Sequence, residues 1–207
     1  MPSKLVLYSF VPFDRSARVR WLANELGIEI EEHKLDYAGG EHRGEDHLNR
    51  HPFGLVPAIE MNGESHWESV AICQSLAEQQ PEAGLTVPMA SPLRKQYLSW
   101  LMFAASTFDA AAFNVFHPAA IKPDAGRRKQ GEADLFPLLV HLARHMSGRD
   151  YLMGERFMLP DLIIGHSIQL LYLVKALEDY PGLRDYRRRL AERPAAKAAR
   201  VFTPRPG

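Results

Sequence analysis

Cysteine is almost missing from this chain: of 207 residues, Cys73 alone carries a thiol. No disulfide framework, Cys-rich metal site or Cys-x-x-Cys redox pair therefore forms within one chain, and any thiol chemistry has to use a thiol brought by a ligand. Net charge is missing too. Lys plus Arg and Asp plus Glu each number 25, so no overall field draws the chain to nucleic acid or to an anionic membrane surface. Long apolar runs are the third absence. The opening Leu5-Val6-Leu7-Tyr8 is too short for a signal peptide, and no stretch approaches the roughly 20 residues of a membrane span. A cytoplasmic protein with no membrane partner is the expectation.

Apolar residues make up 46% of the chain, enough for the core of one large or two small domains. Lys4 to Ser9 reads as a buried strand, and Arg15 to Leu26 as a helix with Val19, Leu22, Ala23 and Leu26 on one face, stopped by Gly27. Residues 29–35 form a weaker second strand, and the β-α-β order favours parallel pairing. After Gly39-Gly40 and a polar loop, Ala58 to Glu60 and a strand through His66-Trp67 flank Asn62-Gly63, a two-residue hairpin signal. A helix then starts at Glu68-Ser69 and runs to Gln80-Pro81, placing Cys73 at an apolar position as a small buried hydrophobe. Residues 81–91 read as a linker. Everything beyond looks helical: Leu93–Phe116, Arg127–Ser147, Pro160–Leu177, Leu183–Glu192 and a last turn from Pro194. The expected domains are thus 1–80 and 92–207.

Two places carry binding chemistry. Val56-Pro57, between a glycine turn and a strand, is either an ordinary turn or a cis bond, which X-Pro adopts for roughly 0.5–1 kcal/mol. A cis bond there leaves the Val56 main chain to pair with an extended peptide ligand, as in strand addition. Glu68-Ser69 is either a plain N-cap or a receptor for an amino-acid zwitterion. In the second case the Ser69 N–H, its hydroxyl and the helix dipole take a carboxylate, and Glu68 takes an ammonium.

Taken together, the run Asn49 to Ile59 followed by Trp67-Glu68-Ser69-Val70-Ala71-Ile72 resembles the Asn-Pro-x-Gly-x-Val-Pro plus Glu-Ser-x-Ala-Ile signature of the glutathione S-transferase superfamily. Arg15-Ser16-x-Arg18-Val19-Arg20-Trp21-Leu22 with Glu25-Leu26-Gly27, and Tyr180-Pro181-x-Leu183-x-x-Tyr186 before Arg193-Pro194-Ala195, extend the resemblance over most of the chain. It implies an α/β thioredoxin-like N-terminal domain that holds glutathione, an all-α C-terminal helical domain that shapes an electrophile pocket, and a homodimer acting in detoxification. By position, Val56 binds the cysteinyl backbone of glutathione, Pro57 is the cis proline, and Glu68 with Ser69 grips the γ-glutamyl end. His42, Arg43, Arg50 and His51 all qualify to meet the glycyl carboxylate. Glutathione is then a co-substrate, the partner is a small apolar electrophile, and no metal or nucleic acid is implied.

The chain departs from this pattern where the thiol is activated. A free thiol, with a pKa near 8.5, is only a few per cent ionised at pH 7, so the site has to favour the anion. The family places a Ser, Tyr or Cys at or just before its first helix; counted back from Val19-Arg20, that position is Phe13, which has no donor. Tyr8, Ser9, Ser16 and the main-chain N–H groups after Phe13 are the available substitutes, with Ser9 at the place of the Tyr-type residue. Phe10, Phe13, Phe103 and Phe108 are candidates for the electrophile pocket, although helix-core packing is the expected role for most of the aromatic residues on the helix that carries the last two. In Phe157-Met158-Leu159-Pro160-Asp161, which resembles the family's capping segment, Met158 replaces a Ser or Thr, so Asp161 has to serve the helix start. His141 and His145, spaced i,i+4, and Arg187-Arg188-Arg189 read as helix surface. A non-catalytic member of the same fold is the alternative function, and a thiol reductase ranks last because Val11 stands where a Cys-Pro-Phe motif needs its cysteine.

Overall fold

The computed structural model describes residues 5–203, so Lys4, expected in the first strand, lies outside the described residues. The chain divides into two compact units, one formed by residues up to Ala83 together with Pro194–Val201, the other by Gly84–Arg193 and the segment from Phe202.

The first unit is α/β. Its elements are β1 (Leu5–Ser9), α1 (Ser16–Leu26), β2 (Ile30–Lys34), a 3-10 turn at Glu41–Arg43, α2 (Glu45–Arg50), β3 (Ala58–Met61), β4 (Glu64–Trp67) and α3 (Ser69–Glu78). The sheet order is β2-β1-β3-β4. β1 runs parallel to β2, with Leu5 opposite Ile30, and antiparallel to β3, with Leu7 opposite Ile59. This is the thioredoxin-like βαβ-ββα arrangement. Asn62 and Gly63 hold φ of 56° and 81°, the left-handed pair that a two-residue hairpin uses. Gly27 ends α1 at φ 66° and returns its N–H to the Ala23 carbonyl.

Period-two alternation divides β1 between two faces. Leu5, Leu7 and Ser9 lie fully buried on the α1 side, with Ala17, Trp21 and Leu22 of that helix. Each such Leu stabilises the fold by about 1.5–3 kcal/mol relative to exposure. On the opposite face Tyr8, Leu35 and Ala58 form a second cluster against which Val6, Phe10 and Val56 pack. Cys73 of α3 is fully buried, and that burial pushes its thiol up to about 12, against a smaller opposing pull from Arg18.

The second unit is helical: α4 (Arg94–Met102), a π-helical turn (Phe103–Phe108), α5 (Asp109–Ala120), α6 (Ala125–Met146), α7 (Leu159–Leu173) and α8 (Pro181–Glu192). The helix expected over 93–116 is thus interrupted. Within the interruption Ser106 donates its hydroxyl to the Met102 carbonyl at 2.7 Å, a competitor for the ordinary helical bond. α5 and α6 approach closely at Gly131, where a Cβ would stand 2.7 Å from the Asn114 carbonyl oxygen. α7 is buried from Leu159 to Leu171 and forms the centre of the unit. A final short helix, α9 (Pro194–Ala198), belongs to the first unit and packs on α1.

Candidate functional site

The start of α3 has an unusual backbone. Glu68 sits at φ 69°, ψ 105°, outside the regions a residue with a Cβ normally occupies, and such outliers concentrate where a site dictates the geometry. Ser69 follows, 4% exposed, and its Oγ accepts a hydrogen bond of 3.2 Å from the Arg18 guanidinium of α1. Since Arg18 supplies that hydrogen, the serine's own hydroxyl hydrogen is left to donate elsewhere. Among the described residues no side-chain hydrogen bond caps the first turn of α3.

Arg18 escaped the sequence reading. It is 1% exposed, among the largest fully buried side chains. The signal was present: Arg18 stands one helical turn before Leu22, on the face that Val19 and Leu22 mark as apolar, where a charge has to have an internal partner.

The Val56-Pro57 bond is cis. Among the described residues no hydrogen bond engages the main chain of Val56, while its side chain packs on the Tyr8, Leu35 and Ala58 cluster beside Phe10. Gly54 just upstream has φ 61°, and a Cβ there would stand 2.6 Å from the His42 carbonyl oxygen, so only glycine lets the loop close on the 3-10 turn.

The groups expected to activate a thiol are all engaged internally. The Ser9 hydroxyl is fully buried and donates to Glu32 of β2 at 2.6 Å, on the sheet face shared with Leu5 and Leu7. That face is opposite the one on which Val56 packs, a placement the strand alternation already dictates. Arg20 closes the arrangement with a 2.6 Å ion pair to the same Glu32 oxygen. Tyr8 donates its hydroxyl to Glu60, and burial first, then this bond, pushes the phenol up to about 12. Ser16 is buried with its hydroxyl directed at the Tyr8 carbonyl, 3.5 Å away. Phe13 is half-buried. Asp14, unremarked in the sequence, organises the whole turn: one carboxylate oxygen accepts from the Phe10 and Val11 N–H groups at 2.8 and 2.9 Å, the other from Ser16 N–H at 2.7 Å.

The four basic candidates for a second carboxylate separate clearly. Arg50 pairs with Glu60 at 3.2 Å and lies 4.4 Å over the Tyr8 ring. His51 is buried and accepts from Phe53 N–H at its Nδ1, which puts the hydrogen on Nε2. Burial, then the neighbouring His47, holds it below the usual histidine range, so it is neutral at pH 7. His42 is buried and stacked on Tyr37 at 4.7 Å. Arg43 is exposed.

The aromatic candidates fall in different units. Phe10 meets Tyr37 and His42 edge-on at 5.1 and 5.4 Å. In the helical unit Phe108 is fully buried in the core, where it has no surface to offer a ligand. Phe103 is half-buried and lines an apolar hollow of about 270 Å³ with Trp100 and Leu142.

Residues 3–78 match the family described as Glutathione S-transferase, N-terminal domain. Glutathione S-transferase PARB of Nicotiana tabacum is 30% identical over 155 residues, covering 72% of this chain and 71% of that protein. Maleylacetoacetate isomerase of Rhizobium meliloti (strain 1021) is 33% identical over 133 residues, 64% of this chain and 60% of its own length. A solved glutathione transferase family member from Pseudomonas fluorescens Pf-5, with two glutathione bound, superposes at a TM-score of 0.83 with 23% identity, over 97% of this chain and 93% of that one, and so shares the fold. With its signature residues gathered at the starts of α3 and β3, its thioredoxin-like first unit and these relatives, the chain belongs to the glutathione S-transferase family.

Proposed function

We propose that the first unit binds glutathione and that the protein is a glutathione transferase, adding the glutathione sulfur to a small apolar electrophile. One observation carries the binding reading: α3 begins with a buried serine backed by a buried arginine and has no side-chain cap of its own. In this reading the γ-glutamyl carboxylate takes the Ser69 hydroxyl and N–H, and Glu68 takes the ammonium. The main chain of Val56, ahead of the cis Pro57, pairs with the cysteinyl residue. Arg43 supplies charge for the glycyl carboxylate, and neutral His51 an N–H donor. Phe10 and Phe13 of the first unit are the proposed apolar surface for the electrophile. A homodimer in the cytoplasm is part of the same proposal. The exposed Phe53, Leu55 and Trp67, at 69, 54 and 38%, are apolar surface that a second copy would cover, and no described helix is long and apolar enough to cross a membrane.

Calorimetric titration of glutathione tests the binding reading. The Glu68→Ala, Ser69→Ala double variant is expected to lose at least about tenfold in affinity, because a charge-assisted bond contributes roughly 1.5–3 kcal/mol. Unchanged affinity removes the site. Conjugation of an activated aryl halide tests the transferase reading. A second reading, a non-catalytic glutathione binder, is favoured by Phe13 and by the engagement of Ser9 with Glu32; it holds if glutathione binds and no conjugation occurs at any pH.

A further inference from the structure

The loop that leads from α2 into β3 is tied back to α2 and to His51, the residue that caps it. Phe53 N–H donates to His51 Nδ1 at 3.3 Å, and Gly54 N–H to the His51 carbonyl at 2.9 Å. The Leu55 carbonyl is bonded to His47 Nε2 at 2.9 Å. His47 is 1% exposed, and its ring packs on those of Tyr8 in β1 and of His51, with centroids 6.0 and 6.3 Å apart. A carbonyl only accepts, so Nε2 carries the hydrogen. Nδ1 is then a buried acceptor, and among the described residues it has no hydrogen-bond partner. Leaving it so costs stability that an apolar side chain in the same place does not cost. What the imidazole supplies and an apolar side chain lacks is the bond to Leu55.

That bond sets the direction of a whole peptide plane. The Leu55–Val56 peptide is trans, so its N–H points opposite to its C=O, and this N–H belongs to Val56. With the carbonyl turned to His47, the Val56 N–H points away from His47, where no described hydrogen bond engages it. The Val56 side chain is fixed separately, on the cluster of Tyr8, Leu35 and Ala58. Once the His47 bond is gone, the plane is free to turn over about the Leu55 ψ and Val56 φ torsions, the soft dihedrals on either side of it. The N–H then faces α2 and is lost to any ligand on the other side.

We propose that His47 is a positioning residue for glutathione: by holding the Leu55 carbonyl it presents the Val56 N–H to the main chain of the cysteinyl residue. The inference rests on the glutathione reading above. It concerns the peptide part of the ligand alone, since the γ-glutamyl contacts proposed at Glu68 and Ser69 do not pass through His47. His47 itself touches no ligand and acts only through the Leu55–Val56 plane.

The test titrates glutathione into the full-length wild type, His47→Leu and His47→Gln near neutral pH by calorimetry, and follows the Val56 and Ser69 amides by nuclear magnetic resonance. Gln carries an N–H donor at a reach close to that of Nε2, whereas Leu fills space without a donor. His47→Leu is expected to lose about tenfold in affinity, the scale of one unmade hydrogen bond, and His47→Gln to stay within about threefold of the wild type. In the wild type and His47→Gln, glutathione should shift the Val56 amide and slow its hydrogen exchange. In His47→Leu at saturation only the Ser69 amide should respond. A role in loop stability alone lowers the melting temperature of His47→Leu and leaves its ligand-bound Val56 amide protected, and that result overturns the proposal. Wild-type affinity in His47→Leu, or an equal loss in both variants, overturns it too. If His47→Leu does not fold, the wild type and His47→Gln decide: a protected Val56 amide in both supports the proposal, and a Val56 amide that bound glutathione leaves unmoved overturns it while the glutathione reading stands. Failure of glutathione to bind the folded wild type removes that reading, and this inference with it.

Discussion

Two helix starts in the first unit face opposite problems. α1 opens on Asp14, whose carboxylate takes three main-chain N–H groups, whereas α3 opens on Ser69 with no side-chain cap. The helical unit repeats the α1 solution twice. Asp124 accepts Arg127 N–H at the start of α6, and Asp161 accepts Met158 N–H at the start of α7. Where the protein closes a helix start with its own acid, the dipole serves stability; where it does not, the dipole is available to the acid of a ligand. α2, α4 and α8 also begin without an N-cap side-chain bond, so what distinguishes the start of α3 is its buried Ser69 bonded to the buried Arg18.

The largest effect expected on this set is at Asp161. Its carboxylate accepts from Leu152 N–H at 2.8 Å, Met158 N–H at 2.9 Å and the Tyr186 hydroxyl at 2.6 Å, all buried. Asp161→Ala orphans three buried donors and is expected to destabilise by roughly 3–5 kcal/mol in urea unfolding. Burial pushes this carboxyl up to about 6, against the opposing pull of its hydrogen bonds. Because the folded-state value lies above the unfolded one near 3.9, the folded chain binds more protons between the two, and the contribution of Asp161 to stability rises as pH falls from about 6 to about 4. The stability gap between wild type and Asp161→Asn should therefore be wider at pH 4.5 than at pH 7.5. An equal gap at the two pH values means that hydrogen bonds and burial cancel and leave the carboxyl at its unfolded value, and a gap narrower at pH 4.5 means that the hydrogen bonds outweigh burial and that Asp161 is an ordinary low-pKa cap.

Making α3 resemble α1 breaks the comparison more directly. Ser69→Asp places a carboxylate on the open dipole, within reach of Arg18. The fold should tolerate it, and glutathione affinity should fall at least about a hundredfold, since like charges brought together cost several kcal/mol. Calorimetry that finds binding intact places the γ-glutamyl end elsewhere.

The sequence carried the frame well because its signals were local. Asn62-Gly63 dictated a hairpin and Gly27 a helix end, and of the two readings left open for Val56-Pro57 the structure has the cis bond, with Glu68 at positive φ before α3. What it did not carry were side chains whose roles depend on distant partners. Ser9 stood at a family position, yet strand alternation puts it with Leu5 and Leu7, and Glu32, on another strand, takes its hydroxyl. Arg18 stands on the apolar face of its helix, but its partner Ser69 lies 51 positions away, which no local pattern names. Asp14 reads as an ordinary loop acid until three N–H groups turn toward it. The π-helical turn at Phe103–Phe108 had no warning in an apolar pattern that suits a plain helix.

The smallest effect expected is at Asp124, and it calibrates the rest. Its carboxylate accepts one N–H, Arg127's at 3.0 Å, and its ion pair with Arg127 at 3.6 Å is largely exposed. Water can replace the carboxylate as acceptor once it is gone, so Asp124→Ala forfeits a cap and leaves no buried orphan. A cost of about 1 kcal/mol follows, nearly all from the cap, since exposed ion pairs contribute little. Raising the salt concentration should leave this cost almost unchanged if the hydrogen bond carries it, and should erase it if the ion pair does. A loss as large as that of Asp161→Ala would show that α6 depends on its first turn far more than one exposed cap can explain, and burial would then no longer be what ranks the capped helix starts.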